Sequence, residues 1–165
     1  MRETTIRKVA VGTMLAIALA AAVSQSASRV VGAADTQVTA AGVGLFPDGA
    51  TLNGIPLDGS TFGFGLRVFP DGSARGNLVI VLAGTSLLGK PQEITLDAYV
   101  DAGITNPDGS VTFSGTGTLD MGDGTPPAPG ISYSVTVTDT GLQLTIGTSV
   151  LPTQNVGVDD IFIGS

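Results

Sequence analysis

The chain has 165 residues, 42% hydrophobic and only 13% charged, with a formal charge of −7 and no histidine, cysteine or tryptophan. Without histidine or cysteine there is no Ser-His-Asp triad, no thiolate nucleophile, no disulfide and no ordinary zinc site. The acidic balance excludes nucleic acid as a partner, because phosphate binding depends on clustered lysine and arginine.

Residues 1–34 read as a signal peptide with its cleavage region. Arg2, Arg7 and Lys8 precede the uncharged run "VAVGTMLAIALAAAV" (residues 9–23), and the small residues "SQSAS" follow. A basic, then apolar, then small segment is the layout of a secretory signal, expected as an N-terminal helix. Arg7-Lys8 is not a twin-arginine pair, so the general export route is implied. The run is shorter than the roughly 18–20 residues that cross a bilayer. An uncleaved anchor is the alternative, and the single membrane association in view. Cleavage after Ser28 or Ala34 leaves one domain, residues 35–165, secreted to the outside or into the cell envelope. From residue 35 onward 13 acids face three cations, Arg67, Arg75 and Lys90, a net charge of −10. With no disulfide available, an exported fold of this kind is held by its core alone.

From about residue 38 the apolar pattern has period two, the mark of half-buried strands. Phe62, Phe64, Leu66 and Val68 share one face of "STFGFGLRVF". "NLVIVLAG" (residues 77–84) is apolar on both faces and predicts a central strand covered on both sides. Ile94, Leu96, Ala98 and Val100 alternate with Thr95, Asp97, Tyr99 and Asp101. Val111, Phe113 and Leu119 come next, followed by Ile131, Tyr133, Val135 and Val137, then Leu142, Leu144 and Ile146. "DDIFIG" near the C-terminus could complete a sheet. The expected core contains Phe62, Phe64, Leu66, Val79, Val81, Leu96, Val100, Phe113, Val135, Val137, Leu144 and Ile146. No helical period of useful length follows Asp35. The fold class is all-β: an antiparallel meander closing into a small β-barrel, with a β-sandwich as the alternative.

Pro-Asp-Gly recurs at 47–49, 70–72 and 107–109. Proline pre-sets the turn, Asp accepts from the amides that follow, and Gly takes a positive φ. One carboxylate per turn at irregular spacing reads as chain reversal and not as a metal device. "LDMGDGTPPAPG" (residues 119–130) holds Asp120 and Asp123, too few side-chain oxygens for a tight calcium site. Weak, millimolar cation association is the expectation there. Asp159-Asp160 reads as a charged pair at a strand edge whose carboxylates diverge, and not as a catalytic dyad. Tyr99 falls on a polar face and Tyr133 on an apolar one. No Gly-x-Ser-x-Gly elbow and no phosphate-binding loop occurs.

The pieces Phe62-Gly63-Phe64, Gly76-Asn77-Leu78, Phe113-Ser114-Gly115-Thr116-Gly117 and Val135-Thr136-Val137-Thr138-Asp139 resemble the post-COAP type of small secreted bacterial β domain. That resemblance implies an extracellular β fold with no established activity, so it carries over no functional residue. The "TPPAPG" segment departs from it, as does the weak N-terminal pattern, and the first strand's pairing is left open.

No catalytic, cofactor-binding or metal-ligating residue is assigned, and no cofactor is expected. The sequence predicts a non-enzymatic extracellular interaction or structural module with an unidentified partner. A barrel carrying a small apolar ligand is the alternative, and a hydrolase using carboxylates alone ranks last.

Overall fold

The computed structural model describes residues 34–164. The segment expected as signal peptide therefore lies outside the described residues, apart from Ala34. Eleven strands and no helix make up the described chain: β1 (Thr36–Leu45), β2 (Thr51–Leu52), β3 (Ile55–Val68), β4 (Ser73–Thr85), β5 (Pro91–Thr105), β6 (Val111–Asp120), β7 (Ala128–Val137), β8 (Gly141–Ile146), β9 (Ser149–Val150), β10 (Gln154–Val156) and β11 (Ile161–Gly164).

From β3 to β8 every strand pairs antiparallel with the next, an all-β meander. Its two flanks are brought together by β1. One edge of β1 pairs with β3 along its whole length, from Thr36↔Val68 to Leu45↔Gly59. The other edge takes β10 at Gly44↔Val156 and β11 at Val38↔Ile163. β10 in turn pairs with β8 at Gln154↔Leu142. The path of hydrogen-bonded neighbours thus returns to its start as a ring of strands. The "DDIFIG" segment does add a strand to the sheet, and the first strand, open in the sequence, has partners on both edges.

The period-two pattern becomes the inside of this ring. Phe62, Phe64, Leu66, Leu96, Val100, Phe113, Val135, Val137, Leu144 and Ile146 are all buried. Phe64 lies 5.3 Å from Phe113 and 5.9 Å from Phe62, centroid to centroid. Each such side chain contributes about 1.5–3 kcal/mol by leaving water, and with no disulfide these are the main stabilising contacts.

Two members of the expected core face outward. Val79 is 39% exposed and Val81 is half-buried, whereas Leu78, Ile80 and Leu82 point in. β4 is not a doubly covered strand: the sheet has one buried side, and no second layer of the described chain lies over the other. β-Branched residues persist on that outer side because they suit the extended backbone even when wet. Asp159-Asp160 also differs from expectation. The pair lies in the turn between β10 and β11, with Asp159 at φ 73° and the Asp160 carboxylate accepting from Gly157 N (3.1 Å).

Candidate interaction surface

Two of the three Pro-Asp-Gly carboxylates, Asp71 and Asp108, are engaged in their own turns. In the β3–β4 turn Phe69 N donates to Ser73 O (2.9 Å) and Gly72 N to Phe69 O (3.0 Å). Asp71 Oδ1 accepts from Ser73 N and Ser73 Oγ, at 2.9 and 2.6 Å. The β5–β6 turn repeats this, with Asn106 N on Ser110 O, Gly109 N on Asn106 O, and Asp108 Oδ1 accepting from Ser110 N (3.0 Å) and Oγ (2.7 Å). The serine hydroxyl, then the serine amide, holds each carboxyl below its ordinary range.

The loop after β6 uses its two aspartates separately. Asp120 Oδ1 accepts from Gly122 N at 2.8 Å, while Asp123 Oδ1 accepts from Thr125 N and Oγ1. The threonine hydroxyl, then its amide, lowers the Asp123 pKa. Among the described residues no group of three or more acids is gathered as metal ligands. Tyr99 is 73% exposed. Tyr133 is buried, its hydroxyl donating to Tyr99 O (3.0 Å). Burial first, and then the nearby Asp101 charge, pushes that phenol above its ordinary range.

One polar pair lies inside the ring. Ser60 on β3 hydrogen-bonds Gln154 Oε1 on β10 across β1, and Gln154 Nε2 is buried without a partner. Gly44 of β1 sits between them, where a Cβ would overlap the Gln154 amide oxygen. A side chain there would displace that amide, and the side-chain bond ties two strands that are 94 residues apart in sequence.

The outer wall carries the remaining features. At the start of β3 the pairing with β4 slips between Leu57 and Gly59, which makes Asp58 an extra, bulged residue. Past the bulge, Gly59 lies between Leu45 and Ala83, and Thr61 between Val43 and Val81. Around Gly59 the wall dips into a depression of about 300 Å³ lined by Val43, Leu45, Val81 and Ala83, with Asp58 and Glu93 also lining it. Val43 and Leu45 are 56% and 63% exposed.

Just beyond this dip β4 turns into β5. Ser86 N donates to Lys90 O (2.8 Å), Gly89 N to Ser86 O (2.8 Å), and Ser86 Oγ accepts from Lys90 N. The two positions filled elsewhere by Pro-Asp are here Leu87 and Leu88, 89% and 85% exposed. Sequence reasoning passed over both features. The "TSLLGK" stretch was visible as a Leu-Leu pair inside a turn signature, whereas the dip depends on a bulge that no sequence pattern announces.

Comparison with family models, with curated proteins and with solved structures finds no match. The resemblance to the post-COAP type therefore rests on the strand and turn motifs alone.

Proposed function

We propose that the ring is a closed, filled β-barrel that acts outside the cell as a non-enzymatic interaction or structural module. The observation that carries this reading is where the apolar side chains go. Phe62, Phe64 and Phe113 pack against one another inside the ring, while Val43, Leu45, Leu87 and Leu88 stand in solvent. A lumen packed with aromatic rings leaves a small apolar ligand no obvious seat, and exposed aliphatic groups suit a macromolecular partner. The turn carboxylates also favour this reading over hydrolysis. Asp71, Asp108 and Asp123 have lowered pKa values and are satisfied by their own loops, whereas a general acid needs a raised one. Export follows from the basic and apolar segments at the N-terminus, and the net charge of −10 from residue 35 onward suits solubility.

The test is a panel of esterase, glycosidase, phosphatase and peptidase substrates presented to the purified protein, together with native mass spectrometry. No turnover and no co-purifying small molecule are expected. Turnover lost on replacing a particular aspartate, or a stoichiometric apolar ligand, would overturn the reading.

A further inference from the structure

We propose that this protein associates with a second copy of itself, the Leu87-Leu88 tip of one copy entering the Gly59 depression on the outer wall of the other. The inference names a partner for the interaction module proposed above and rests on that reading.

The tip is not explained by the needs of the fold. The β3–β4 and β5–β6 turns make the same pair of backbone hydrogen bonds with Pro-Asp at the two central positions. Leu-Leu at Ser86–Lys90 therefore adds nothing to the turn and leaves two branched aliphatic side chains in water. The tip has few ways to retract, because the turn is closed by two backbone bonds and the Ser86 hydroxyl.

The depression matches the tip in chemistry and in size. Val43, Leu45, Val81 and Ala83 line it. An apolar cavity of about 150 Å³ is enough to hold benzene, so about 300 Å³ accepts one or two leucine side chains. Charge points to the same partner. Lys90 lies two residues after Leu88 and is one of three cations from residue 35 onward. Among the described residues the one ion pair is Arg67 with Asp35 at 3.7 Å, so Lys90 is free there, as are Asp58 and Glu93 beside the depression. Docking Leu87-Leu88 brings a cation toward those two carboxylates. That local complement opposes the general repulsion of two acidic copies, which salt screens beyond about 8 Å at physiological ionic strength. A bilayer offers no equivalent of Asp58 and Glu93, and an anionic one would repel the domain.

Sedimentation of the protein from micromolar to millimolar concentration tests the proposal. Reversible association is expected, with the dissociation constant raised at least about ten-fold by Leu88→Ala. Leu87→Asp with Leu88→Asp (tip lost) and Val43→Asp with Leu45→Asp (depression lost) should each sediment as monomer with unchanged circular dichroism. Mixed, the two should associate one to one, since one supplies the depression and the other the tip. Lys90→Glu should weaken association, and adding Glu93→Lys should restore it. A mixture that stays monomeric overturns the proposal. So does a wild-type protein that is monomeric throughout, or one whose tip binds neutral phosphatidylcholine vesicles without self-association. Turnover in the substrate panel would refute the module reading whatever the association state, whereas monomers without turnover refute only the present inference.

Discussion

Three hairpin turns at the two ends of the ring share one form and are finished with opposite chemistry. At one end Phe69–Ser73 and Asn106–Ser110 place Pro-Asp between their closing hydrogen bonds. At the other, Ser86–Lys90 places Leu-Leu there. All three end on a glycine at positive φ, 84° at Gly72, 85° at Gly109 and 71° at Gly89. In the first two the aspartate spends its acceptor capacity on the following serine, so the turn is complete in itself. In the third the two side chains contact water and remain unsatisfied by their own chain. The difference separates what the backbone needs from what the surface offers: a turn needs the glycine and the hydrogen bonds, and its two central side chains are free for other use.

That separation is tested most severely by comparing leucines at the tip with rings in the core. Phe113→Ala should lower unfolding stability by about 3–5 kcal/mol, read from the urea midpoint, because Phe113 is wholly buried against Phe64. Replacing both Leu87 and Leu88 by alanine should move stability by less than about 0.5 kcal/mol. A loss above about 1 kcal/mol would show the tip to be packing and erase the distinction.

The shared backbone gives the next effect in size. Gly72→Ala, Gly109→Ala and Gly89→Ala should each cost about 1–2 kcal/mol, since each residue sits in the left-handed region. Similar costs at all three would confirm that the turns share one geometry. A negligible cost at Gly89 alone would break the comparison there.

Converting one tip into the other is gentler. Leu87→Pro with Leu88→Asp writes Pro-Asp-Gly into the third turn, where Leu87 N is not among the donors that close it. Stability should hold or rise by up to about 1 kcal/mol, since proline at a compatible position restricts the unfolded chain, while self-association is lost. Calorimetry and sedimentation on the same sample read both.

The smallest effect is in acid. Asp71 and Asp108 have folded-state pKa values below the ordinary 3.8, chiefly through the Ser73 and Ser110 hydroxyls. A depressed folded-state value means the contribution is full above the ordinary aspartate range and is lost as pH falls through the lower value. Stability should therefore decline on acidification from about pH 4 downward, and Asp71→Asn with Asp108→Asn should flatten that decline. The Leu-Leu turn, with nothing to titrate, should leave it unchanged when mutated.

Much of this architecture is legible in individual residues. Phe62, Phe64, Phe113, Val135 and Leu144 announce their shared side by spacing alone, and Pro70-Asp71-Gly72 announces its turn by the φ each residue accepts. Val79 and Val81 mislead for a definite reason. Alternation tells which residues share a face of a strand, but an apolar second face says nothing of whether any layer exists to cover it. Tyr133 was placed correctly by register, yet its bond to Tyr99 O needs the neighbouring strands in position.

The candidate surface was the least legible part. Leu87-Leu88 could be seen as a pair but not as exposed, since adjacent leucines more often go inside. The dip at Gly59 arises because Asp58 is an extra residue against β4, and a one-residue slip is settled by pairing between strands, not by any single strand's composition.

By itself the sequence determined the strands from β3 to β8, the buried side of all of them but β4 from spacing, the turns from Pro, Asp and Gly, and the absence of thiol and imidazole chemistry. All of these are local properties, set by backbone geometry and side-chain type within a few residues. Only the tertiary structure decided that β1 stands between β3 and β10, that Ser60 meets Gln154 across 94 residues, and that Val43, Leu45, Val81 and Ala83 surround one depression. Those facts depend on which distant strands become neighbours and in what register, and hydrogen-bonded pairing between strands leaves no mark within a single strand.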